Sequence, residues 1–132
     1  MKYDHLKLKV LEGEFKYLLL DTQSDLEALL KIVPRGPMAF FRSADEISAI
    51  VPTAIEFQAK KIEPEWICMR IIGEMPFGTV QGLIAEISGI LAKSNMGICV
   101  VSTFLTDWFF VKSKNIEAAV IELKKIGWKF VE

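Results

Sequence analysis

The residues best suited to bind a small charged molecule lie in two segments of the second half of the chain, the loop 74–79 and the turn 104–107. A helix is predicted to begin at Gly78–Val80, and the free N–H groups of its first turn favour a carboxylate. Asp107 in the turn can accept a hydrogen bond from an ammonium or guanidinium group. Because an α-amino acid carries both charges, the two segments together could bind one molecule of this class.

The same residues also fit structural roles, and the sequence alone leaves both interpretations open. Asp is common in hairpin turns because of turn geometry, so Asp107 fits a turn as well as a binding site. Gly78 could relieve a steric clash, and Phe77 and Phe104 could pack in a core. Residue type alone therefore does not separate ligand-binding residues from turn and core residues.

Few residues in the chain could catalyse a reaction. His5 is the one histidine and lies near the start of the sequence. No Cys/His cluster has the spacing of metal ligands, and no glycine-rich loop has the spacing of known phosphate-binding motifs. Ser102 and Thr103 have no candidate base nearby in sequence. We therefore expect a protein that is not an enzyme, with no catalytic residues, no metal site and no cofactor.

Composition and charge disfavour several classes of partner. The 132 residues carry a net charge of −1, which argues against a nucleic-acid or anionic-membrane surface. No run of about 18 apolar residues is present, so no spanning helix is expected. The start of the chain lacks the apolar core of a signal peptide, so a cytoplasmic location is expected. Cys68 and Cys99 lie in apolar strands and are predicted to be free buried thiols, with a disulfide as the alternative.

The second half of the chain predicts a β-α-β-β-α-β unit, which is the ferredoxin-like arrangement. Its first helix has apolar residues at the spacing of a 3.6-residue turn, begins after Thr79 and ends at Asn95 and Gly97. Asn115 is predicted to cap the second helix. The apolar face of the first helix consists of Val80, Leu83, Ile84, Ile87, Ile90 and Leu91. The second helix is predicted to bury Ile116, Ala119, Val120 and Leu123 and to end at Gly127. Strands are predicted at Trp66–Gly73, Ile98–Thr103, Trp108–Lys112 and Trp128–Val131.

The first half of the chain predicts a similar but less regular unit. Its helix is predicted to begin with a capping box at Ser24–Glu27 and to end by Val33, because prolines follow. A short second helix is predicted at Thr53–Ala59, and a proline indicates a linker at Lys60–Glu65. Strands are predicted at Lys7–Leu11, Glu14–Leu20, Met38–Arg42 and Ile47–Val51, of which the first two form a hairpin, and Lys7–Leu11 could supply an edge strand that this half lacks.

Two other families with the βαββαβ layout are disfavoured. Val80-Gln81-Gly82 is similar to a motif of the acylphosphatases, but the arginine that binds phosphate in that family is missing, and Leu83–Glu86 follows instead. An RNA-binding module would need exposed aromatic residues on the sheet and a basic rim. Phe109 and Phe110 are present, but the charge is balanced and the RNP1 pattern is absent.

Motifs in Glu65–Val131 resemble the ACT domain, and the whole chain resembles small tandem-ACT proteins related to the CASTOR arginine sensors. Each half also places an acid, Glu46 or Asp107, in a polar turn between two strands, which predicts an internal repeat. The resemblance is carried by Phe77-Gly78-Thr79, Gly97–Phe104, Thr106-Asp107-Trp108 and Phe109–Val111, and more loosely in the first half by Phe40–Ser43 and Asp45–Ser48.

The resemblance implies a fold, a function and a set of binding residues. The implied fold class is α+β, with two ferredoxin-like, ACT-type subdomains packed together at residues 1–62 and 63–132. ACT domains bind amino acids or similar small effectors and commonly pair side by side, which implies a regulatory or sensor protein that forms a homodimer. The alternative is a ligand-free dimerisation or protein-interaction module. The implied ligand-binding residues are Phe77, Gly78, Thr79, Val80, Thr103, Phe104, Thr106 and Asp107, of which Thr103, Phe104 and Asp107 match a Thr-Phe-x-x-Asp stretch of the sensors' ligand pocket.

Overall fold

The computed structural model describes residues 3–76 and 81–132, which form two compact units. Unit 1 consists of Met1–Glu12 and Ile67–Glu132, and unit 2 is Gly13–Trp66. This division differs from the predicted one at residues 62 and 63, because the start of the chain groups with its second half. The elements in chain order are β1 (Lys7–Val10), β2 (Phe15–Leu20), α1 (Gln23–Ile32), β3 (Ala39–Arg42), β4 (Ile47–Pro52), β5 (Lys61–Ile72), α2 (Leu83–Lys93), β6 (Cys99–Ser102), β7 (Asp107–Lys112) and α3 (Ile116–Lys125), with a 3₁₀ turn at Ser113–Asn115 before α3.

Unit 2 is built on antiparallel strands in the order β3, β4, β2 and the first half of β5. Alternate residues of β2 and β4 point to one face of this sheet, as strand geometry requires. Leu26 and Leu29 of α1, three residues apart, lie on one face of that helix and are buried against the same core. The core of unit 2 consists of Leu18, Leu20, Leu26, Leu29, Ala49, Val51 and Ile55.

The helix α1 begins at a different capping residue from the one predicted. Thr22, not Ser24, is the N-cap, and its hydroxyl oxygen accepts a hydrogen bond from the Asp25 N–H at 3.1 Å. The Asp25 carboxylate in turn accepts from the Thr22 N–H at 3.0 Å. This reciprocal pair satisfies two donors that a helix start leaves open. The end of the helix is confirmed, since Val33 is its C-cap.

The predicted linker at Lys60–Glu65 is wrong, because β5 continues through it without a break. The register between β2 and β5 shifts at this point, and Glu65 takes a left-handed φ of 67°. A β-bulge of this kind accommodates Pro64, which lacks the N–H that a regular ladder needs. The proline therefore indicates a bulge within a continuous strand and not a flexible linker.

The short helix predicted at Thr53–Ala59 is also wrong, since the structure has a turn and an extended segment there. The Thr53 N–H donates to the Glu14 carbonyl at 2.8 Å, and the Ile55 N–H donates to the Pro52 carbonyl at 3.1 Å. These bonds hold the segment in a turn directly after β4. Ile55 is thereby buried in the core of unit 2, which an exposed helical segment would not achieve.

In unit 1 the N-terminal strand completes the sheet of the second half of the chain. β1 pairs antiparallel with the second half of β5, with Lys7 opposite Ile72 and Val10 opposite Met69. The strand order continues from β5 to β7 and then β6. On its other side, Leu8 of β1 forms an isolated parallel bridge with Phe130. The described sheet of unit 1 therefore runs from Phe130 through β1, β5 and β7 to β6.

This pairing corrects three predictions about the strands. The hairpin between Lys7–Leu11 and Glu14–Leu20 is wrong, and Lys7–Leu11 does not complete the first half, because β1 pairs with Met69–Ile72. The closing strand at Trp128–Val131 is reduced to one bridge, since β1 already occupies the position beside β5. The physical reason is burial: Leu8 is fully buried in the core of unit 1, which a hairpin with the other half would not provide.

The helix α2 starts later than predicted. The predicted cap, Thr79, lies outside the described residues, and the N-cap is Gly82 with a left-handed φ of 80°. The Glu86 N–H donates to the Gly82 carbonyl at 2.9 Å, which is the first helical hydrogen bond. Ile84, which was predicted to be buried, is 40% exposed.

The end of α2 is confirmed at Asn95, which has a left-handed φ of 58°. The Met96 N–H donates to the Leu91 carbonyl at 3.1 Å, and the Asn95 N–H donates to the Ala92 carbonyl at 3.0 Å. These two bonds form a Schellman motif, which satisfies carbonyl groups that a helix end leaves open. Gly97 is not needed for this cap, since its φ is not in the left-handed region.

With the helix α3, the elements of unit 1 follow the order of a ferredoxin-like unit, which confirms the predicted α+β class. Asn115 is the N-cap residue of α3, as predicted, but its side chain makes no capping hydrogen bond, and the 3₁₀ turn leads directly into the helix. Gly127 ends α3 with a left-handed φ of 106°. The fully buried residues of the core of unit 1 include Leu6, Leu8, Met69, Ile71, Leu83, Ile87, Leu91, Phe109, Leu123 and Trp128.

Cys68 and Cys99 are both free, the first buried and the second half-buried. Burial raises the pKa of the Cys68 thiol to about 12, and the nearby charge of Arg70 lowers that pKa in part. In the part of the chain that the structure describes, no helix is long and apolar enough to cross a membrane. Within the same residues, no cluster of His, Cys, Asp and Glu could hold a metal ion.

Leu8→Ala is expected to lower the free energy of unfolding by about 2–5 kcal/mol, because it leaves a cavity in the core of unit 1. Urea unfolding followed by tryptophan fluorescence would measure the change. Leu30→Ala is the matched control, since Leu30 is 43% exposed on α1 and its loss is expected to cost less than about 1 kcal/mol. Equal small effects for both variants would contradict the position of β1 in the core.

The raised pKa of Cys68 predicts a specific loss of stability at high pH. In the unfolded chain this thiol ionises near its ordinary pKa of 9.0, whereas in the folded protein it stays protonated until about 12. Above pH 9.0 the unfolded state has therefore lost a proton that the folded state retains, so stability falls by up to about 1.4 kcal/mol per pH unit. Cys68→Ala should lack this component of the slope in urea unfolding, and identical slopes would disprove it.

Candidate functional site

The binding site predicted from the sequence is described by the structure in its second half. Phe77, Gly78, Thr79 and Val80 lie outside the described residues. The other half, Thr103, Phe104, Thr106 and Asp107, lies in and beside the turn between β6 and β7. The geometry of the site is therefore that of this turn and of the segments that hold it.

Hydrogen bonds within the turn fix the position of Thr103. Its N–H donates to the Thr106 carbonyl at 2.8 Å, and its hydroxyl donates to the same carbonyl at 3.0 Å. The hydroxyl oxygen in turn accepts a hydrogen bond from the indole N–H of Trp108 at 3.0 Å. The polar atoms of Thr103 thus close the hairpin, and this residue has a clear structural role.

Thr106 attaches the turn to the end of β5. Its hydroxyl donates to the Ile71 carbonyl at 2.7 Å, and the side chain is only 5% exposed. The sulfur of Met75 lies 3.8 Å from the same hydroxyl oxygen. The beginning of the loop after β5 is thereby held beside the turn. The sequence predicts that the loop 74–79 and the turn 104–107 meet, and the structure brings Met75 and Thr106 together.

Asp107 is the buried acid of this turn. It is 9% exposed and its backbone pairs with Ser102 across the hairpin. Among residues 3–76 and 81–132, no donor lies within hydrogen-bond distance of its carboxylate. Burial of a charged group is costly unless a partner compensates it.

At the tip of the turn, Phe104 and Leu105 are 73% and 71% exposed, so Phe104 does not pack in the core.

A cavity of about 330 Å³ in unit 2 is a second candidate site. It lies between the end of β2 and the turn that joins β3 to β4. The hydroxyl of Ser43 accepts hydrogen bonds from the N–H groups of Asp45 and Glu46 at 3.1 and 3.2 Å, which shapes this turn. The cavity is lined by Leu19, Leu20, Asp21, Ser43, Ala44, Asp45, Glu46, Ile47 and Lys60.

The charges around this cavity suit a zwitterion. Lys60 supplies an ammonium group, and Asp21 and Asp45 supply carboxylates on the same cavity. In the described chain, neither Asp21 nor Asp45 has a cation within 4.0 Å of its carboxylate, so both remain available to a ligand. Sequence reasoning missed this cavity, although the acid Glu46 in a turn between two strands was one signal of an internal repeat.

Comparisons with known proteins address the fold and the family. Residues 61–125 match the family model of the ACT domain. None of the curated proteins compared with the chain matches it. The match begins at the first residue of β5 and ends at the last residue of α3, so it covers the turn with Asp107.

Several solved structures share the fold. The Agobacterium tumefaciens protein Atu0741 is 25% identical with a TM-score of 0.78, over 96% of this chain and 92% of that chain. The regulatory subunit of aspartate kinase from Thermus thermophilus, in its ligand-free form, is 10% identical with a TM-score of 0.63, over 89% of this chain and 95% of that chain. The aspartate kinase from Clostridium acetobutylicum is 15% identical with a TM-score of 0.63, over 91% of this chain but only 33% of that chain.

The family match and the described topology agree. The matched segment contains β5, α2, β6, β7 and α3, which are the elements of a ferredoxin-like unit with an antiparallel sheet. Residues 61–125 are therefore similar to an ACT domain both in sequence and in the order of their elements.

Proposed function

We propose that the protein is a regulatory or sensor protein that binds an amino acid or a similar small zwitterion, and that Asp107 accepts a hydrogen bond from the ligand's ammonium group. The observation that carries this proposal is that Asp107 is only 9% exposed while its carboxylate has no donor within residues 3–76 and 81–132. A buried carboxylate without a cation is stabilised when a ligand supplies one.

The carboxylate of the ligand needs a donor of its own, and the start of α2 offers one. The first N–H groups of a helix have no acceptor within the helix and carry a partial positive charge. In this chain those groups follow Gly82, whose backbone takes a left-handed conformation and whose missing side chain leaves the helix start uncapped. Phe77, Gly78, Thr79 and Val80 lie outside the described residues and stay proposed ligand-binding residues on the basis of the sequence.

The remaining predicted residues take supporting roles in this proposal. Thr106 positions the turn through its hydrogen bond to the Ile71 carbonyl, and Thr103 closes the turn. Phe104 is 73% exposed at the tip of the turn, where its ring can cover a ligand. Only Asp107 would contribute charge, so its substitution should affect ligand affinity more than that of any of the others.

As part of the same proposal, unit 2 is a second, less regular copy of the ACT-type unit. Its strands β2, β3, β4 and the first half of β5 follow the connectivity of a ferredoxin-like unit whose second helix is replaced by a turn. Its cavity lies between the end of the first strand and the turn between the next two, which is the place that Asp107 occupies in unit 1. The relation to the CASTOR arginine sensors and a cytoplasmic location stay predictions from the sequence.

The proteins of similar structure favour a regulatory role over a catalytic role. One neighbour is described as the regulatory subunit of aspartate kinase, and this chain spans nearly all of it. In the longer aspartate kinase, this chain corresponds to about a third of the length. We therefore propose that ligand binding by this chain controls the activity or assembly of another protein and does not lead to turnover of the ligand.

A thermal-shift screen against the proteinogenic amino acids tests the proposal. At a concentration 100 times its Kd, a ligand that binds only the folded state adds about 2.7 kcal/mol of stability, which raises the melting temperature by several degrees. Asp107→Asn preserves the shape of the side chain and removes its charge. We expect this variant to lose the shift for the ligand that stabilises the wild-type protein.

Glu117→Gln is the matched control for Asp107→Asn, because Glu117 is an exposed acid in the first turn of α3 in the same unit. It should retain the full shift. Unchanged affinity of Asp107→Asn, measured by isothermal titration calorimetry, would remove Asp107 from the site. Flat melting curves for the wild-type protein across the whole panel would favour the interaction module instead.

An interaction or dimerisation module is the second candidate, and an exposed apolar strand favours it. β3 ends the sheet of unit 2, and Phe40 and Phe41 on it are 48% and 70% exposed. A strand at the end of a sheet presents backbone groups that can pair with another chain. Self-association of two copies along β3 would cover part of this apolar surface.

Phe41→Lys is expected to weaken such a dimer, because it replaces an apolar contact with a charge that repels its symmetric copy. Burial of a Phe side chain contributes about 1.5–3 kcal/mol, so the dissociation constant should rise by at least about tenfold. Sedimentation velocity over a range of concentrations would measure it. Ile121→Lys on α3, where Ile121 is 54% exposed, is the control and should leave the equilibrium unchanged. Identical monomer–dimer behaviour of the two variants would exclude β3 as the interface.

A further inference from the structure

Two cations stand directly opposite each other on the outer face of the sheet of unit 1. Lys9 of β1 is paired with Arg70 of β5 in the antiparallel register. Their neighbours Leu8 and Met69 point into the core, so Lys9 and Arg70 share the other face of the sheet. Like charges in directly opposite positions of an antiparallel pair repel and destabilise it. A fold that retains such a pair gains stability when an anion binds between them.

Further cations lie near this pair in the described part of the chain. Lys7 is two residues before Lys9 on the same face of β1 and is exposed. Lys129 is also exposed and precedes Phe130, which is bridged to Leu8 on the other side of β1. No carboxylate of the described residues lies within 4.0 Å of these cationic groups. We call Lys7, Lys9, Arg70 and Lys129 the cationic row.

The guanidinium group of Arg70 is held in a fixed position within the cationic row. Its central carbon lies 4.9 Å from the ring centroid of Trp108 on the neighbouring strand β7. Its Nε is buried and has no hydrogen-bond partner within residues 3–76 and 81–132. A buried N–H donor without an acceptor costs free energy, which an acceptor supplied by a ligand would recover. The indole N–H of Trp108 donates to Thr103, so the ring that orients Arg70 is itself fixed.

We propose that the cationic row is a second ligand site of unit 1 and that it binds the phosphate group of a small phosphorylated molecule. An arginine pairs with phosphate through two parallel N–H donors, and lysines add point charges around it. A dianionic phosphate neutralises the Lys9–Arg70 pair, whereas a single carboxylate would leave one charge unbalanced. Nucleic acid is a poorer occupant, because proteins that bind it commonly contact about 6–10 phosphates along a groove.

Pyrophosphate is the probe for this site, since it presents a terminal phosphate group like that of a small phosphorylated molecule. Trp108 lies beside Arg70, so titration with pyrophosphate at low ionic strength should change the tryptophan fluorescence in a saturable manner. Lys9→Gln and Arg70→Gln should each bind pyrophosphate about tenfold to a hundredfold more weakly, as expected for the loss of one charge-assisted hydrogen bond. Lys93→Gln is the control, because Lys93 is exposed at the end of α2 in the same unit. Its affinity should be unchanged.

Lys9→Glu distinguishes binding of an anion at this site from non-specific attraction of anions to the protein. It places a carboxylate opposite Arg70, so it should raise the melting temperature in the absence of probe and abolish the response to pyrophosphate. Titration with sulfate and succinate at matched ionic strength tests the preference for phosphate. The proposal is overturned if Lys9→Gln and Lys93→Gln bind pyrophosphate equally well, or if succinate produces the same saturable response as pyrophosphate in the wild-type protein. Both results are independent of the amino-acid screen and of Asp107.

Discussion

The pairing of β1 with the second half of β5 is the constraint on which the described structure of unit 1 depends. It joins residues more than fifty positions apart in the sequence, so it closes a long loop at a substantial cost in chain entropy. Burial of Leu8 beside Ile71 and Met69 offsets that cost. The same register decides which side chains meet on the outer face. Core packing and the arrangement of surface charge therefore follow from one alignment of strands.

A single hydroxyl group has a comparable influence on the turn between β6 and β7. The hydrogen bond from Thr106 to the Ile71 carbonyl attaches the turn to the end of the strand that β1 pairs with. Asp107 follows directly, so the position of its carboxylate depends on that bond. A serine would preserve the donor at this position, whereas a valine would preserve the shape and leave the Ile71 carbonyl without this partner.

Local signals in the sequence identified most of the elements but not the strand that pairs with β1. Helix and strand periodicity identified α1, α2, α3 and most strands, and Asn95 marked the end of α2 because few residues tolerate a left-handed φ. Pro64 was misread as a linker, since a bulge and a boundary both tolerate a missing N–H. The partner of β1 could not be predicted, because Leu8 and Val10 alternate in the same way whichever strand they face.

The candidate site could be predicted only in part, because sequence patterns indicate residue types and turns but not tertiary contacts. Asp107 was selected by residue type and position, but its burial depends on the tertiary contacts of β7, which periodicity does not reveal. The role of Thr103 in closing the turn, and the cavity of unit 2 beside Ser43, are consequences of how turns fold back onto strands. Glu46 indicated a repeat of the strand–turn–strand pattern, but it did not predict that a cavity lies beside it.

Strand alternation explains why the buried acid and the free cations of unit 1 do not neutralise each other. Asp107 shares its face of β7 with Phe109 and Val111, which are buried in the core. Trp108 points to the opposite face, where it contacts Arg70. The sheet thus separates a carboxylate on its inner face from the cationic row on its outer face. Each face retains an uncompensated charge, so each can gain stability from a ligand of the opposite sign, and the two ligands would be linked only through the shared strands β5 and β7.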